Sequence, residues 1–128
     1  MVRVRLYYRR GRLRGLVVEG HAGSGVYGRD IVCAAVSALA QTAVLALERL
    51  AGVKPRGRVQ AGRLQCFLPG GLARESEEKA ALILETAAVG LAAIARTHPR
   101  HVILVRRGLG SAEGGGPAPP GLPQEEVD

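Results

Sequence analysis

The feature that most constrains the fold is the segment from Ile31 to Leu50, in which apolar side chains recur every three or four residues. The apolar positions are Val32, Val36, Leu39, Ala43, Val44, Leu47 and Leu50. This spacing predicts an amphipathic helix with one apolar face. Because such a face must be covered, the rest of the chain has to provide a second layer.

The segments on either side of this helix predict that layer. Before it, apolar and polar residues alternate from Val2 to Tyr8, and Arg10-Gly11 predicts a turn into a second strand from Leu13 to Glu19. After it, the sequence predicts three further elements: extended chain over 58–68 that a turn at 61–62 can divide, a mostly apolar helix over 72–96 and a last strand over 101–106. This order predicts an α+β fold, a small mixed sheet of four to five strands with both helices packed on one face.

Length and local composition limit the number of domains. The chain has 128 residues, and we expect one domain over residues 1–107. Residues 108–128 are rich in Gly and Pro and contain no basic residue, which is typical of a disordered acidic tail. The whole chain has 18 basic and 11 acidic residues; the tail holds four of the acids, so the domain has 18 basic against 7 acidic residues, a net charge of +11.

A domain this basic can attract nucleic acid, an anionic membrane or an acidic partner. The sequence has one Phe, no Trp and no recognisable nucleic-acid-binding motif, so direct nucleic-acid binding is not predicted; a non-enzymatic RNA- or ribosome-binding module remains the alternative. No unbroken apolar run reaches ~18 residues and the N-terminus has no signal-peptide core, so we expect a cytoplasmic protein with no membrane partner.

The most chemically informative residues are a histidine and a cysteine on either side of the first helix start. Asp30 is predicted to be the N-cap, which puts Cys33 at the third helical position, where the helix dipole favours a thiolate. His21 precedes Cys33 by twelve residues, in a glycine-rich loop predicted over 20–29 that is long enough to fold back. An imidazole beside a thiolate forms a nucleophile and base pair. Ser37 and Gln41 follow Cys33 at intervals of four and therefore share its side of the helix.

Each of these residues also has a structural interpretation. Cys33 can be a small buried apolar residue or a redox-sensing thiol, His21 can be a solvated or backbone-bonded loop residue, and Asp30 can be a cap with no other role. Cys66 alternates with apolar neighbours and is predicted to lie in the core. Two cysteines 33 positions apart do not predict a zinc site, and we expect neither a metal nor a cofactor.

A dinucleotide site is also not predicted, although Gly23 to Gly28 matches the GxGxxG pattern. The predicted cap, Asp30, would place a carboxylate where pyrophosphate binds. The acid expected after the next strand is missing, because Glu48 falls within the helix.

The sequence around the histidine and the cysteine resembles the bacterial ribosomal-processing cysteine protease family, Prp. The matching words are Gly20-His21-Ala22-Gly23 and the run from Gly28 to Leu39, GRDIVCAAVSAL, at the spacing of the family. The resemblance covers residues 1–107, and the tail departs from it.

The resemblance implies a peptidase that removes a short N-terminal extension from a large-subunit ribosomal protein, the twenty-seventh in the usual series. It implies that His21 and Cys33 are the catalytic pair, that Asp30 and Ser37 lie in the same site, and that the protein forms a homodimer. It also implies a mobile loop over the bound peptide, with hinges at Gly20, Gly23, Gly25 and Gly28. The corresponding mechanism passes through a thioester, with the oxyanion on backbone N–H groups near the helix start and Ser37 assisting.

Overall fold

The computed structural model describes residues 1–20 and 27–110, and from residues 27–30 it describes the backbone only. Within these ranges the chain forms five strands and two long helices in the order ββαββαβ. The elements are β1 (Val2–Arg9), β2 (Arg12–Glu19), α1 (Tyr27–Leu50), β3 (Val59–Gln60), β4 (Arg63–Phe67), α2 (Arg74–Thr97) and β5 (Val102–Gly108).

The five strands form one mixed sheet in the order β3-β4-β2-β1-β5. Neighbouring strands are antiparallel except β1 and β5, which run parallel, with Val2 opposite Val102 and Tyr8 opposite Gly108. The parallel pair follows from the path of the chain, because α2 carries it back across the sheet before β5 begins. The predicted α+β fold is therefore confirmed, with five strands.

One apolar core lies between the sheet and the helices. The alternating residues Val2, Val4 and Leu6 of β1 are buried in it, as are Leu16 and Val18 of β2. From the helices, the stripe Val32, Val36, Ala40, Ala43 and Leu47 of α1 and the buried positions Ala80, Leu84, Ala87, Ala88 and Leu91 of α2 complete it. Both helices thus pack on the same face of the sheet, as the sequence predicts.

Two boundaries differ from the sequence prediction. Helix α1 begins at Tyr27, four residues before Ile31, so residues 27–29 are helical and not part of a loop. At the other end of the chain, β5 continues through Gly108 and Leu109 is buried against Tyr7, Val17 and Phe67, so residues 108 and 109 pack with the domain although the predicted boundary is at residue 107. The rest of the predicted tail, residues 111–128, lies outside the described residues.

By length and composition alone, two segments could cross a membrane: Ile31–Leu50 and Arg74–Thr97. Neither is an unbroken apolar run, and core helices of soluble proteins have the same character. Here each of these helices packs one side against the sheet.

Candidate active site

Cys33 lies on α1 and is half-buried, with its side chain packed against the edge of the core. Because α1 begins at Tyr27, Cys33 is the seventh helical residue and not the third. The N–H groups left unpaired by a helix start belong to its first four residues, here 27–30. The amide of Cys33 is thus inside the helical hydrogen-bonding pattern, roughly 6 Å along the axis from those groups.

The prediction that Asp30 is the N-cap is wrong. Asp30 is the fourth residue of α1 and lies in its first turn. Aspartate is favourable both at the cap and in the first turn, since both positions are close to the positive end of the helix dipole. The residue type therefore could not fix the helix start to within a turn. Because α1 begins at Tyr27 and Asp30 is not its cap, the cap no longer argues against a dinucleotide site. The second argument, that the acid expected after the next strand is missing, is supported because Glu48 lies inside α1.

Ser37 and Gln41 share a small cavity at the edge of the sheet. The cavity has a volume of about 40 Å³ and is lined by these two residues and Ala40 of α1, with Val18 of β2, Leu64 of β4 and the chain around the β3–β4 turn. Ser37 is half-buried and Gln41 is exposed, so the cavity opens to solvent. Ser37 is one helical turn after Cys33, which puts the cavity directly along α1 from the thiol.

The chain that leads to His21 is fixed at Gly20. The Gly20 N–H donates a hydrogen bond to the carbonyl of Gly62, with an N···O distance of 3.2 Å, and Gly62 lines the same cavity as Ser37. Gly20 has φ of +78°, and a Cβ there would come within 2.8 Å of the Met1 carbonyl oxygen. Only glycine fits this position without strain. Gly20 is thus held by a hydrogen bond at the end of β2 and is the anchor of the segment that leads to His21, while its predicted role as a hinge remains a prediction.

The other predicted loop residues divide between two outcomes. His21, Gly23 and Gly25 lie outside the described residues, so the predicted contact between His21 and Cys33 and the predicted loop motion remain predictions. Gly28 is the second residue of α1 and is therefore not in the loop.

The second cysteine, Cys66, lies away from this cavity. Cys66 on β4 is fully buried in the main core, as predicted. Within residues 1–20 and 27–110, no three His, Cys, Asp or Glu side chains are grouped closely enough to hold a metal ion.

Sequence reasoning missed the part of the site that β2, β3 and β4 contribute. Val18, Gln60, Gly62 and Leu64 line the cavity beside Ser37, although Gly62 is 25 positions from Ser37 in the chain. The sequence marks residues 61–62 only as a turn. Their position beside α1 depends on the pairing of β2 with β4, which no local pattern reports.

Comparison with known proteins identifies the family and the fold of this chain. The family model described as cysteine protease Prp matches residues 1–103. The ribosomal processing cysteine protease Prp of Bacillus subtilis is 34% identical over 95 residues, which cover 70% of this chain and 85% of that protein.

Two crystal structures of an essential ribosomal processing protease Prp from S. aureus have the same fold. The complex with a substrate peptide has a TM-score of 0.72 and 27% identity, covering 83% of this chain and 99% of the other. The complex with a covalently linked product peptide has a TM-score of 0.70 and 28% identity, with the same coverage. With the family match over residues 1–103 and the shared fold, the chain belongs to the Prp family of ribosomal processing cysteine proteases.

Proposed function

We propose that this protein is the endopeptidase that removes a short N-terminal extension from a large-subunit ribosomal protein, the twenty-seventh of the series, with Cys33 as nucleophile and His21 as general base. The observation that carries the proposal is the half-buried Cys33 on α1, one turn from a cavity whose lining residue Gly62 is hydrogen-bonded to Gly20, the residue before His21. Membership of a ribosomal processing protease family supports the reaction and the class of substrate.

The backbone supports the pairing of Cys33 with His21. Gly20, the residue before His21, is hydrogen-bonded to Gly62, which lines the cavity beside Ser37. The six residues 21–26 then connect Gly20 to the first residue of α1. The described residues that flank this segment are Tyr27, which begins the helix that carries Cys33, and Gly20, which is hydrogen-bonded to a residue of the cavity beside Ser37.

The chemistry follows from a thiolate and an imidazole. The Cys33 sulfur attacks the carbonyl carbon of the scissile bond, the C–N bond breaks, and His21 delivers a proton to the leaving amine. The leaving amine becomes the new N-terminus of the ribosomal protein, and the extension remains on Cys33 as a thioester. Water, deprotonated by His21, then hydrolyses the thioester and regenerates the thiol. The S. aureus complex with a covalently linked product peptide supports a covalent route in the family.

The oxyanion needs donors close to Cys33. The N–H groups that α1 leaves unpaired belong to residues 27–30, which precede Cys33 in the helix. We therefore expect the oxyanion to be stabilised by donors on the Cys33 side of the helix and not by the N–H groups at its start. Ser37 is half-buried one turn away, and we assign its hydroxyl as the assisting donor. Because Asp30 lies in the first turn of α1 and is not the N-cap, we assign its carboxylate to orienting His21.

A peptidase assay tests the proposal. The substrate is a synthetic peptide copied from the N-terminus of the host ribosomal protein, spanning the end of the extension. We expect Cys33→Ala and His21→Ala to reduce kcat/KM by at least about 10³-fold, because each removes a member of the reacting pair. Acid-quenched wild-type enzyme should carry the mass of the extension on Cys33.

Matched controls come from the same chain. Cys66→Ala removes the other thiol, and His98→Ala removes an exposed imidazole at the end of α2; both should cleave the peptide within about twofold of wild type. If Cys33→Ala or His21→Ala cleaves at the wild-type rate, the catalytic pair is wrong. If wild-type enzyme cleaves other peptides and leaves this one intact, the substrate is wrong.

We also propose that the protein acts as a cytoplasmic homodimer, because its proposed substrate is a ribosomal protein. The outer side of the helical layer supports the dimer. An apolar groove of about 320 Å³ runs between α1 and α2, with Leu39, Leu50, Leu82 and Ile83 in its walls. Leu50 and Leu82 are 69% and 68% exposed, so each copy offers both an apolar groove and apolar side chains to fill one.

A further inference from the structure

The face of the sheet turned away from the helices carries an unusual concentration of arginine. On β1, Val2, Val4 and Leu6 point to the helices, so the alternating Arg3 and Arg5 point to the opposite face. The strand register adds four more arginines to this face, which we call the arginine face: Arg9, Arg12, Arg63 and Arg107. Among the described strand residues of that face, Glu19 is the single carboxylate.

Glu19 compensates only a small part of this charge. It forms ion pairs with Arg5 and with Arg63, the latter at 3.5 Å. Arg3, Arg12 and Arg107 are exposed. Over residues 1–20 and 27–110, this face carries six guanidinium groups and one carboxylate, which makes it strongly positive, and both α1 and α2 lie on the other side of the sheet.

Two hydrogen-bond donors on the arginine face are buried and unsatisfied. The Tyr7 hydroxyl and the Arg5 Nη1 are both buried and have no hydrogen-bond partner in the described part of the chain. They lie two residues apart on β1 and so point to the same face. Buried donors almost always have an acceptor, so this position calls for a partner that supplies acceptors.

Leu109, next to the last described residue, already lies on this face. The Leu109 N–H donates to the Tyr8 carbonyl at 2.6 Å, and the Leu109 side chain is buried against Tyr7, Val17 and Phe67. The chain therefore leaves β5 across the same face, beside the unsatisfied Tyr7 hydroxyl.

The remaining sequence has the chemistry that this face requires. Residues 111–128 contain the acids Glu113, Glu125, Glu126 and Asp128 and no Lys or Arg. They also contain four prolines, whose carbonyls accept hydrogen bonds while their nitrogens donate none. At ~3.3 Å per extended residue the segment can reach roughly 60 Å, whereas five strands span only about 20 Å.

We propose that the acidic C-terminal segment, residues 111–128, is the occupant of the arginine face and binds it within the same chain. Tethering next to the binding surface gives the segment a high effective concentration, which a free anion must compete against. The face is opposite the helices that carry and surround Cys33, so the proposal is independent of the peptidase mechanism.

The test uses the full-length, ¹⁵N-labelled protein and two pairs of substitutions. Arg3→Gln with Arg107→Gln neutralises the exposed part of the arginine face. Arg96→Gln with Arg100→Gln removes the same charge from the exposed end of α2 and the turn after it. We expect the first pair to move the amide resonances of residues 113 and 125–128 toward their high-salt positions, and the control pair to leave them unchanged.

A reciprocal variant tests the other partner. Neutralising the segment with Glu113→Gln, Glu125→Gln, Glu126→Gln and Asp128→Asn should shift the amides of Arg5 and Tyr7 and strengthen binding of a uridine oligonucleotide to the face by at least about fivefold. Tail amides that respond neither to salt nor to the arginine substitutions would overturn the proposal. So would an oligonucleotide that binds wild type and the neutralised variant equally well at the arginine face, because the face would then belong to nucleic acid.

Discussion

Gly15 and Phe67 form a contact that depends on the absence of a side chain. Gly15 lies opposite Phe67 in the β2–β4 ladder, and a Cβ at residue 15 would stand 2.1 Å from the Phe67 ring. The ring packs at this point against Tyr7, with a centroid separation of 5.4 Å. The small cluster on the arginine face is therefore built around one glycine.

We predict that Gly15→Ala lowers the free energy of unfolding by about 1–3 kcal/mol, since the added methyl group must displace a buried aromatic ring. Urea denaturation measures the change. Gly70→Ala is the matched control, because nothing lies within 4 Å of a Cβ there and no positive φ is involved; it should change stability by less than about 0.5 kcal/mol. Equal effects at the two positions would contradict the packing argument.

Ser37 provides a second test at the level of one residue. If its hydroxyl assists the oxyanion, Ser37→Ala should lower kcat by about 10²-fold with little change in KM, because the contact exists mainly in the transition state. Steady-state kinetics on the ribosomal peptide gives both constants. Gln41→Ala, on the same cavity but a turn further from Cys33, is the control and should retain kcat. A rise in KM at constant kcat would instead assign Ser37 to substrate binding.

Among the elements, the junction between β2 and α2 depends on an irregularity of the sheet. Tyr7 pairs with Gly15 and Tyr8 pairs with Leu13, so Arg14 is an extra residue in a β-bulge. Arg14 turns to the helical side, where it forms an ion pair with Glu77 in the first turn of α2 and donates to the Pro69 carbonyl at 3.2 Å. The bulge thus fixes the start of α2 against the sheet.

We predict that Arg14→Gln destabilises the fold by about 1–3 kcal/mol, because Glu77 loses its partner while its side chain is only 20% exposed. A double-mutant cycle with Glu77→Gln, followed by chemical denaturation, should show a coupling above about 0.5 kcal/mol. The exposed pair Arg74 and Glu78 is the control, and its coupling should be smaller. Coupling equal to the control would mean that the bulge positions α2 without the ion pair.

At the scale of the whole molecule, the two sides of the protein differ in chemistry. The helical side has an apolar groove flanked by Leu50 and Leu82, and the opposite side of the sheet is the arginine face. This division predicts different partners: a second copy for the apolar groove and an acidic segment for the arginine face.

The dimer prediction is tested by placing a charge on the groove. Leu82→Glu should convert the dimer to monomer at micromolar concentration, because a carboxylate cannot be buried there without a partner. Sedimentation equilibrium measures the mass. Ile103→Glu is the control on the other side of the sheet, where Ile103 is 44% exposed, and it should remain dimeric. A wild-type monomer, or a dimeric Leu82→Glu variant, would contradict the proposed interface.

Local patterns of apolar and polar residues predict much of the fold. The period of two in 2–8 and the three- and four-residue spacing in 31–50 predicted β1 and α1, because these patterns reflect which side chains must be buried. Cys33 and Ser37 were found on one side of α1 by the same reasoning. The predicted start of α1 is four residues too late. Aspartate is favourable both at the cap and in the first turn of a helix, and a glycine such as Gly28 is tolerated near a helix end.

By itself, the sequence determined the element types, the core stripe of α1 and the family words around His21 and Cys33, because each depends on neighbouring residues in the chain. Only the tertiary structure decided that β5 pairs in parallel with β1, that Gly20 is hydrogen-bonded to a residue of the cavity beside Ser37, and that six arginines share the face of the sheet opposite the helices. These features depend on strand order and register, which are set by contacts between residues far apart in sequence and leave no local pattern to read.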